Sequence, residues 1–448
     1  MFTIKEPNEK AIAFIRTNHP QTQGLRLACW TIPFEYNGVK LMKNTLTGEI
    51  VSLTDEEFAA PEKVLELAKR RFVVPEDYDE TAQYLQVVDL IRITQPESKG
   101  LKTYTILPTT ACNARCVYCY EEGYPVKTMT KETADKLVDF ICETRQEDEI
   151  TLSWFGGEPT VCADTISRVC SGLESRGVPF KSRLITNASL ITKPLAQEMK
   201  KVWHLKKVQV SLDGSRHNYM ARKQYIDPVR HNYDTVMAAI RYLADEGINI
   251  QLRVNFDKEN LTDMQSFIDE MEMLFVKYDN VKMYLYMLFQ QQHQSDCLDV
   301  YKEYYELLSN NYDKKVFNKQ SGKSEFRTNY CMADRLDKSI VIDPLGAFYN
   351  CEHLPCNENS WGNVFDGVTD QKRFDELCSP ADVDKKCVGC AFLPQCTRFY
   401  RAHCPNSFDY CIEQNKMKTD FELKLLAERQ LKKQLSDKDR LLRSFAKQ

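Results

Sequence analysis

The chain has 448 residues, 43% hydrophobic and 28% charged, with 60 Lys/Arg against 64 Asp/Glu and a net charge of −4. That length allows two or three domains, and that balance lacks the basic footprint of a general nucleic-acid binder. No apolar run reaches the roughly 20 residues a bilayer span needs, and the N-terminus MFTIKEPNEK has no charged-then-apolar export pattern, so a cytoplasmic protein with neither membrane nor nucleic-acid partners is expected.

Seventeen cysteines stand out. A chain of this size needs no disulfide staples, and an odd number cannot pair completely. Seven are dispersed: Cys29, Cys142, Cys162, Cys170, Cys297, Cys356 and Cys378. The other ten form two groups, Cys112, Cys116 and Cys119 early, and Cys331, Cys351, Cys387, Cys390, Cys396, Cys404 and Cys411 late. Close clusters of this kind read as metal ligands.

In chain order, residues 1–95 read as a small separate unit. Leu25–Pro33 and Gly38–Met42 are expected strands, with a turn from Thr45 to Gly48. Thr54 with Glu57 fits a capping box, and Val64, Leu65, Leu67, Ala68 and Phe72 follow at helical spacing. Strands with short helices suggest a winged-helix-like module, followed by a linker at Pro96–Gly100. From residue 101 the pattern alternates. Expected strands are Lys102–Leu107, Glu149–Phe155, Ser182–Thr186, Lys207–Leu212, Asn249–Phe256 and Lys282–Leu288. Expected helices are Lys131–Thr144, Asp164–Ser175, Pro194–Val202, Tyr233–Glu246, Met264–Phe275 and Asp299–Leu308. Six such β/α units argue for a parallel sheet, either a partial barrel or a doubly wound sheet, with its chemistry at the C-terminal strand ends. From about Gln320 the periodicity fades into a segment expected to depend on metal for its fold. The tail Lys416–Gln448 is helical by pattern and carries ten Lys/Arg against five Asp/Glu, which suits a solvated helix lying on the domain.

The first cysteine group directly follows the first expected barrel strand. Three thiolates within eight residues can hold three irons of a 4Fe–4S cube and leave the fourth open to a small molecule. A zinc site would want a fourth Cys or His close by, and none follows within the next 20 residues. Phe155-Gly156-Gly157-Glu158-Pro159 ends the second strand, Thr186-Asn187 the third, and Ser211-Leu212-Asp213-Gly214 the fourth, while Arg253 and Asn255 close the fifth. The Cys112-x-x-x-Cys116-x-x-Cys119 spacing, with Tyr118 before the last Cys, and the Gly-Gly-Glu-Pro run together resemble the radical S-adenosylmethionine (SAM) superfamily. The resemblance implies an α/β fold with a partial (β/α)6 TIM-like barrel over residues 96–319. It implies that Cys112, Cys116 and Cys119 hold a 4Fe–4S cluster whose open iron binds SAM. Gly156, Gly157 and Glu158 would face the methionyl ammonium, Ser211, Arg253 and Asn255 the carboxylate or ribose, and Tyr118 the adenine, with Asn187 at the same rim. Reductive cleavage of SAM would yield a 5′-deoxyadenosyl radical that takes hydrogen from substrate.

In the second group, 14 residues separate Cys331 from Gly346 and four more precede Cys351. Two residues separate Cys387 from Cys390, five precede Cys396, seven precede Cys404 and six precede Cys411. This is similar to the SPASM domain of peptide-modifying radical SAM enzymes, except that the seven-residue interval is three in the usual pattern. The resemblance implies two auxiliary 4Fe–4S clusters over residues 320–415, hence three clusters in all. Cys387, Cys390, Cys396 and Cys411 would hold the distal one, and Cys331, Cys351 and Cys404 the proximal one. The proximal fourth ligand stays open between Cys297, Cys356 and a substrate thiolate. Glu352, next to Cys351, stands where the related sulfatase-maturating enzymes carry an acid that accepts a substrate proton.

The N-terminal unit resembles the leader-peptide-binding winged-helix domain of peptide maturases, which adds a peptide strand to a sheet edge. The expected function is therefore oxidoreductive modification of a ribosomally made precursor peptide with a leader, by thioether crosslinking of a Cys, with ferredoxin or flavodoxin as electron donor. Carbon–carbon crosslinking, formylglycine formation on a sulfatase, and a non-catalytic Fe–S or zinc scaffold are the alternatives.

Overall fold

A computed structural model describes residues 1–7, 24–36, 38–94, 100–146, 148–317, 338–353, 359–378, 387–395 and 410–426. Cys331, Cys356, Cys396 and Cys404 thus lie outside the described residues.

An eight-stranded sheet forms the centre. Its strands are β7 (Thr103–Ile106), β8 (Ile150–Trp154), β9 (Phe180–Thr186), β10 (Leu205–Leu212), β11 (Asn249–Phe256), β12 (Val281–Met287), β13 (Ser339–Ile342) and β14 (Phe348–Tyr349). They lie in the order β12-β11-β10-β9-β8-β7-β13-β14. Every pairing is parallel except β13 with β14. Parallel neighbours require crossover helices, and the sequence supplies them as Lys131–Thr144, Ala163–Ser175, Lys193–Lys201, Tyr233–Asp245 and Met264–Phe275. Capping fixes their starts: Thr130 accepts from the Thr133 amide, and Asn232 from those of Asp234 and Thr235.

Alternation along the strands sorts the side chains. Leu184, Val208, Val210, Leu252 and Val254 face the helices and share one core with Ile166, Ala196, Ile240 and Phe267. Each such aliphatic side chain contributes about 1.5–3 kcal/mol by burial. The opposite, inner face carries the less buried residues, such as Gln209, Gln251, Arg253 and Tyr284.

All six expected barrel strands are present within two residues of their expected ends. Two differences stand out. First, β13 and β14 come from the stretch where periodicity was lost, and β13 pairs with β7 along its whole length, Ser339 with Thr103 through Ile342 with Ile106. Four successive buried residues give no alternation to read. Second, the helix Arg216–Lys223 follows β10, where no helix is expected.

Near the N-terminus, β1 (Phe2–Lys5), β3 (Thr31–Tyr36), β4 (Val39–Asn44) and β5 (Ile50–Leu53) form an antiparallel sheet in the order β1-β5-β4-β3. The expected strand Leu25–Pro33 is broken at Ala28–Trp30, because β2 (Leu25–Leu27) leaves that sheet to pair with β6 (Val73–Pro75). The Thr54/Glu57 capping box forms as expected, each side chain bonded to the other residue's amide. Residues 411–426 are helical and lie on this sheet: Leu423 packs with Leu41 and Ile50, and buried Lys43 bonds Glu422 at 3.1 Å. The rest of the expected tail helix, residues 427–448, lies outside the described residues. The C-terminal fragment meets the N-terminal unit a second time, where Leu393 joins Trp30, Leu46 and Tyr84.

Candidate functional site

The loop after β7 carries Cys112, Cys116 and Cys119. Backbone bonds strap it on two sides. The Gly157 amide donates to Thr109 O at 3.2 Å and the Glu158 amide to Ala111 O at 2.9 Å. On the other side the Arg115 amide donates to Gln224 O and the Val117 amide to Arg222 O, both at 3.0 Å. Cys112 and Cys116 are half-buried and Cys119 is exposed. Burial pushes the Cys112 thiol up to about 12 and raises Cys116 and Cys119 as well. A bound metal overrides that tendency, since coordination deprotonates a thiol.

Gly156 and Gly157 are required by this packing. A Cβ on Gly156 would stand 2.5 Å from Thr109 O, and one on Gly157 would meet the carbonyls of Thr110 and Ala111. Gly156 also has φ 110°, where side chains are strained. The close approach these glycines permit is therefore used, on this side, by the protein's own cysteine loop.

Glu158 is completely buried. Its carboxylate accepts from the Asn187 amide at 2.7 Å, Thr186 Oγ1 at 2.6 Å, the Thr160 amide at 3.1 Å and the Thr160 hydroxyl. It thereby ties β8 to β9. Asn187 Nδ2 donates in turn to Asn113 Oδ1 at 2.9 Å, and Asn113 to Ser189 Oγ, so the third strand end also holds the cysteine loop.

A second polar knot lies under Tyr118. Its hydroxyl donates to Asp213 Oδ1 at 2.5 Å and accepts from Lys223 Nζ at 2.9 Å and Asn255 Nδ2 at 3.3 Å. Asp213 and Lys223 are both buried and lie 3.4 Å apart. Asp213 Oδ2 has no aligned hydrogen bond, so Lys223 serves it through charge. Burial works against the Lys223 ammonium, but Asp213 holds its pKa well above the ordinary value. Arg253 Nε donates to Asn255 Oδ1 at 3.1 Å, and its guanidinium stacks 3.9 Å from the Tyr286 ring centre. Ser211 is half-buried on the same inner face. Lys223 and Asn113 are missing from the sequence-derived site. Asp213 stood in the strand-end motif, whereas Lys223 gave no signal because its helix was unexpected. Beside Tyr118 opens a cavity of about 470 Å³, lined by Arg222, Asp257, Leu288 and Gln290, and Gln290 Nε2 donates to Tyr118 O at 3.0 Å.

Cys351 and Glu352 sit next to this loop. The Tyr120 and His353 rings are 4.7 Å apart, and Tyr124 donates to His353 O at 3.3 Å. Glu352 is half-buried there, and its charge acts on both Tyr120 and His353. Cys387 and Cys390 pack against the Trp30 cluster, while Cys411 packs against the barrel core. Cys297 is fully buried in that same core. Among the described residues no three Cys, His, Asp or Glu side chains close into a single-ion cage. Three thiols on one loop, strapped at the barrel mouth, do suit a cube, which spreads its thiolates over separate corners.

Residues 106–271 match the radical SAM superfamily. Fe-coproporphyrin III synthase of Methanosarcina barkeri is 25% identical over 164 residues, 37% of this chain and 39% of that protein. The chain thus spans about two fifths of that relative's length. The serine-type anaerobic sulfatase-maturating enzyme of Klebsiella aerogenes is 23% identical over 287 residues, 57% of this chain and 67% of that enzyme. In structure, native anSMEcpe with bound AdoMet has TM-score 0.57 at 13% identity, covering 73% of this chain and 98% of that one. Streptococcus suis SuiB bound to precursor peptide SuiA has TM-score 0.52 at 13% identity, covering 84% and 95%.

Proposed function

We propose, from the premise that this chain carries a radical SAM domain, that it modifies a ribosomally made precursor peptide. The observation that carries the radical reading is the cysteine loop, held at the C-terminal mouth of the sheet by Gly157 and Glu158 on one side and by residues 222–224 on the other. Cys112, Cys116 and Cys119 would hold a 4Fe–4S cluster, which when bound supplies the electron that splits SAM into methionine and a hydrogen-abstracting adenosyl radical. The cavity beside Tyr118 has the size of a small-ligand site and takes the adenosyl end, with the Tyr118 carbonyl on its wall. Gly156 and Gly157 line the methionyl end through their backbone, and Glu158 and Asn187 keep the strand ends in register around it. Ser211, Arg253 and Asn255 contact the carboxylate or ribose from the inner face. Glu352, beside the loop, is the proton acceptor for the substrate.

The peptide substrate is supported by the fold-level likeness to SuiB and by the N-terminal sheet, where β3 is an edge strand among the described residues and suits strand addition by a leader. In this reading residues 1–95 bind the leader, 96–319 do the radical chemistry, 320–415 hold two auxiliary 4Fe–4S clusters through Cys331, Cys351, Cys387, Cys390, Cys396, Cys404 and Cys411, and 416–448 form the covering helix. Ferredoxin or flavodoxin supplies electrons in the cytoplasm. Thioether formation at a substrate Cys is the preferred outcome.

Anaerobic reconstitution with iron and sulfide, then incubation with SAM and dithionite, should give 5′-deoxyadenosine, and the C112A/C116A/C119A variant should give none. No 5′-deoxyadenosine from the wild type would end the radical reading. The similarity to the serine-type sulfatase-maturating enzyme favours a second reading, formylglycine formation. A sulfatase peptide that becomes formylglycine, by losing two hydrogens at Ser or by losing two hydrogens and exchanging sulfur for a water oxygen at Cys, would select it, and a crosslinked precursor peptide would exclude it.

A further inference from the structure

The inner face of the sheet has an unusual charge pattern. Between β7 and β12 its residues include Lys181, Arg183, Lys207, Arg253 and Lys282, yet not one Asp or Glu. Lys181 is neutralised at the barrel's lower rim by Glu149, 2.6 Å away. Lys282 donates to the Lys315 carbonyl at 2.8 Å. Arg183 and Lys207 differ from these. They are direct partners across β9 and β10, so two cations stand side by side. Both are exposed on the inner face, and neither has a carboxylate within ion-pair distance among the described residues. Their flanking neighbours in the same row are Ser153 and Asn249, both neutral.

Like charges directly opposed across a strand pair are destabilising. Partial burial, with the Arg183 charge added, lowers the Lys207 ammonium below its ordinary range. A bound anion would relieve that cost. Arg183 lies three residues before Thr186 on β9, so the pair sits about 10 Å below the strand end that carries the cysteine-loop contacts. Above it stand Ile185 and its strand partner Gln209, which is bonded to Tyr284 at 2.9 Å, with Tyr286 at the top. An extended segment spans that distance in about three residues, so a peptide with one residue at the reactive end would place another at the pair.

We infer that Arg183 and Lys207 form a carboxylate subsite inside the barrel, which anchors an Asp or Glu side chain of the substrate peptide a few residues from the one that is modified. This rests on the peptide reading above and narrows it to peptides with an acidic residue beside the reacting one.

The test uses the full chain, with a fluorescein-labelled oligoglutamate peptide and its oligoglutamine counterpart as probes. Oligoglutamate should bind with an affinity that falls as salt rises, and oligoglutamine should not. R183Q/K207Q should weaken oligoglutamate binding about tenfold or more, the scale of losing charge-assisted hydrogen bonds. R183E places an acid beside Lys207, so it should abolish binding while the melting temperature stays the same or rises, a result that misfolding could not produce. Equal binding by wild type and R183Q/K207Q, or equal binding of the two peptides, would overturn the assignment. Competition by inorganic phosphate as effective, charge for charge, as oligoglutamate would assign the pair to free anions and overturn it too. 5′-Deoxyadenosine formation is measured on the same preparation without peptide, so failure of the radical reading shows there and failure of the subsite shows only in binding.

Discussion

Tyr120 and His353 stand ring against ring at 4.7 Å, although 233 positions of chain separate them. Tyr120 follows Cys119, and His353 lies two residues after Cys351. The contact therefore joins the cysteine loop to the segment that carries Glu352. A tilted aromatic pair contributes about 0.5–1.5 kcal/mol beyond its burial. Y120A should thus cost little global stability but loosen this wall of the mouth. With a precursor peptide, the ratio of 5′-deoxyadenosine to modified product should rise severalfold, as a less firmly held substrate lets the radical take hydrogen from other C–H and S–H donors. An unchanged ratio would mean that the pair does not shield the chemistry.

The two glycines allow a sharper test of the loop packing. G157A adds a Cβ against the carbonyls of Thr110 and Ala111, and these are backbone atoms that cannot rotate away. A cost of about 1–3 kcal/mol is expected, with displacement of the cysteine loop. Iron content after reconstitution should fall by about four atoms per chain if one cube is lost. Gly367, unlike Gly157, has a positive φ (74°), but a Cβ there meets nothing within 4 Å, so G367A should leave the iron content unchanged.

Asp213 and Lys223 form a buried pair, and removal of one partner leaves an uncompensated charge. D213N or K223M alone should therefore cost about 3–5 kcal/mol in urea unfolding. The double variant should cost clearly less than the sum, because neither charge is then stranded. Additive losses would show that the two residues act independently.

Glu80 predicts the acid response of the N-terminal unit. It accepts from both Arg26 amino groups, at 2.7 and 3.0 Å, and from the Cys29 amide at 2.7 Å. Burial raises its carboxyl, but these donors outweigh burial and hold its pKa below the ordinary 4.5. A depressed carboxyl stabilises the fold above its unfolded value and loses that contribution as pH falls through the folded one. Wild type should exceed E80Q by about 1–2 kcal/mol at neutral pH, discounted because Arg26 is partly exposed. The gap should close as pH drops below about 4.5. A gap that widened in acid would reverse the sign.

Much of this architecture is legible in the sequence, and the exceptions have physical reasons. β9 to β12 are readable because one face must bury Leu and Val against helices while the other stays polar. β13 is not, because all four of its residues are buried and the sequence around it carries no repeat. Cysteine spacing and the Gly-Gly-Glu-Pro run locate the mouth, since tight backbone approach restricts residue type strongly. The Asp213–Lys223 pair joins positions whose only link is three-dimensional, and the lysine stands in a helix too polar to announce itself. Glu158 and Thr186-Asn187 are each legible as strand-end groups, but their bonding to one another is not, since hydroxyls and amides carry no spacing signal.

The pairing of β13 with β7 has a consequence for biosynthesis. Ile106, just ahead of the cysteine loop, gains its partner Ile342 only when the ribosome has made most of the chain. Until then β7 is an open edge, able to pair with another nascent chain. Contacts so distant along the chain also form late in folding. The loop thus acquires its final support in the last stage of maturation, and a truncated barrel ending near residue 320 should be prone to aggregate before it can be loaded.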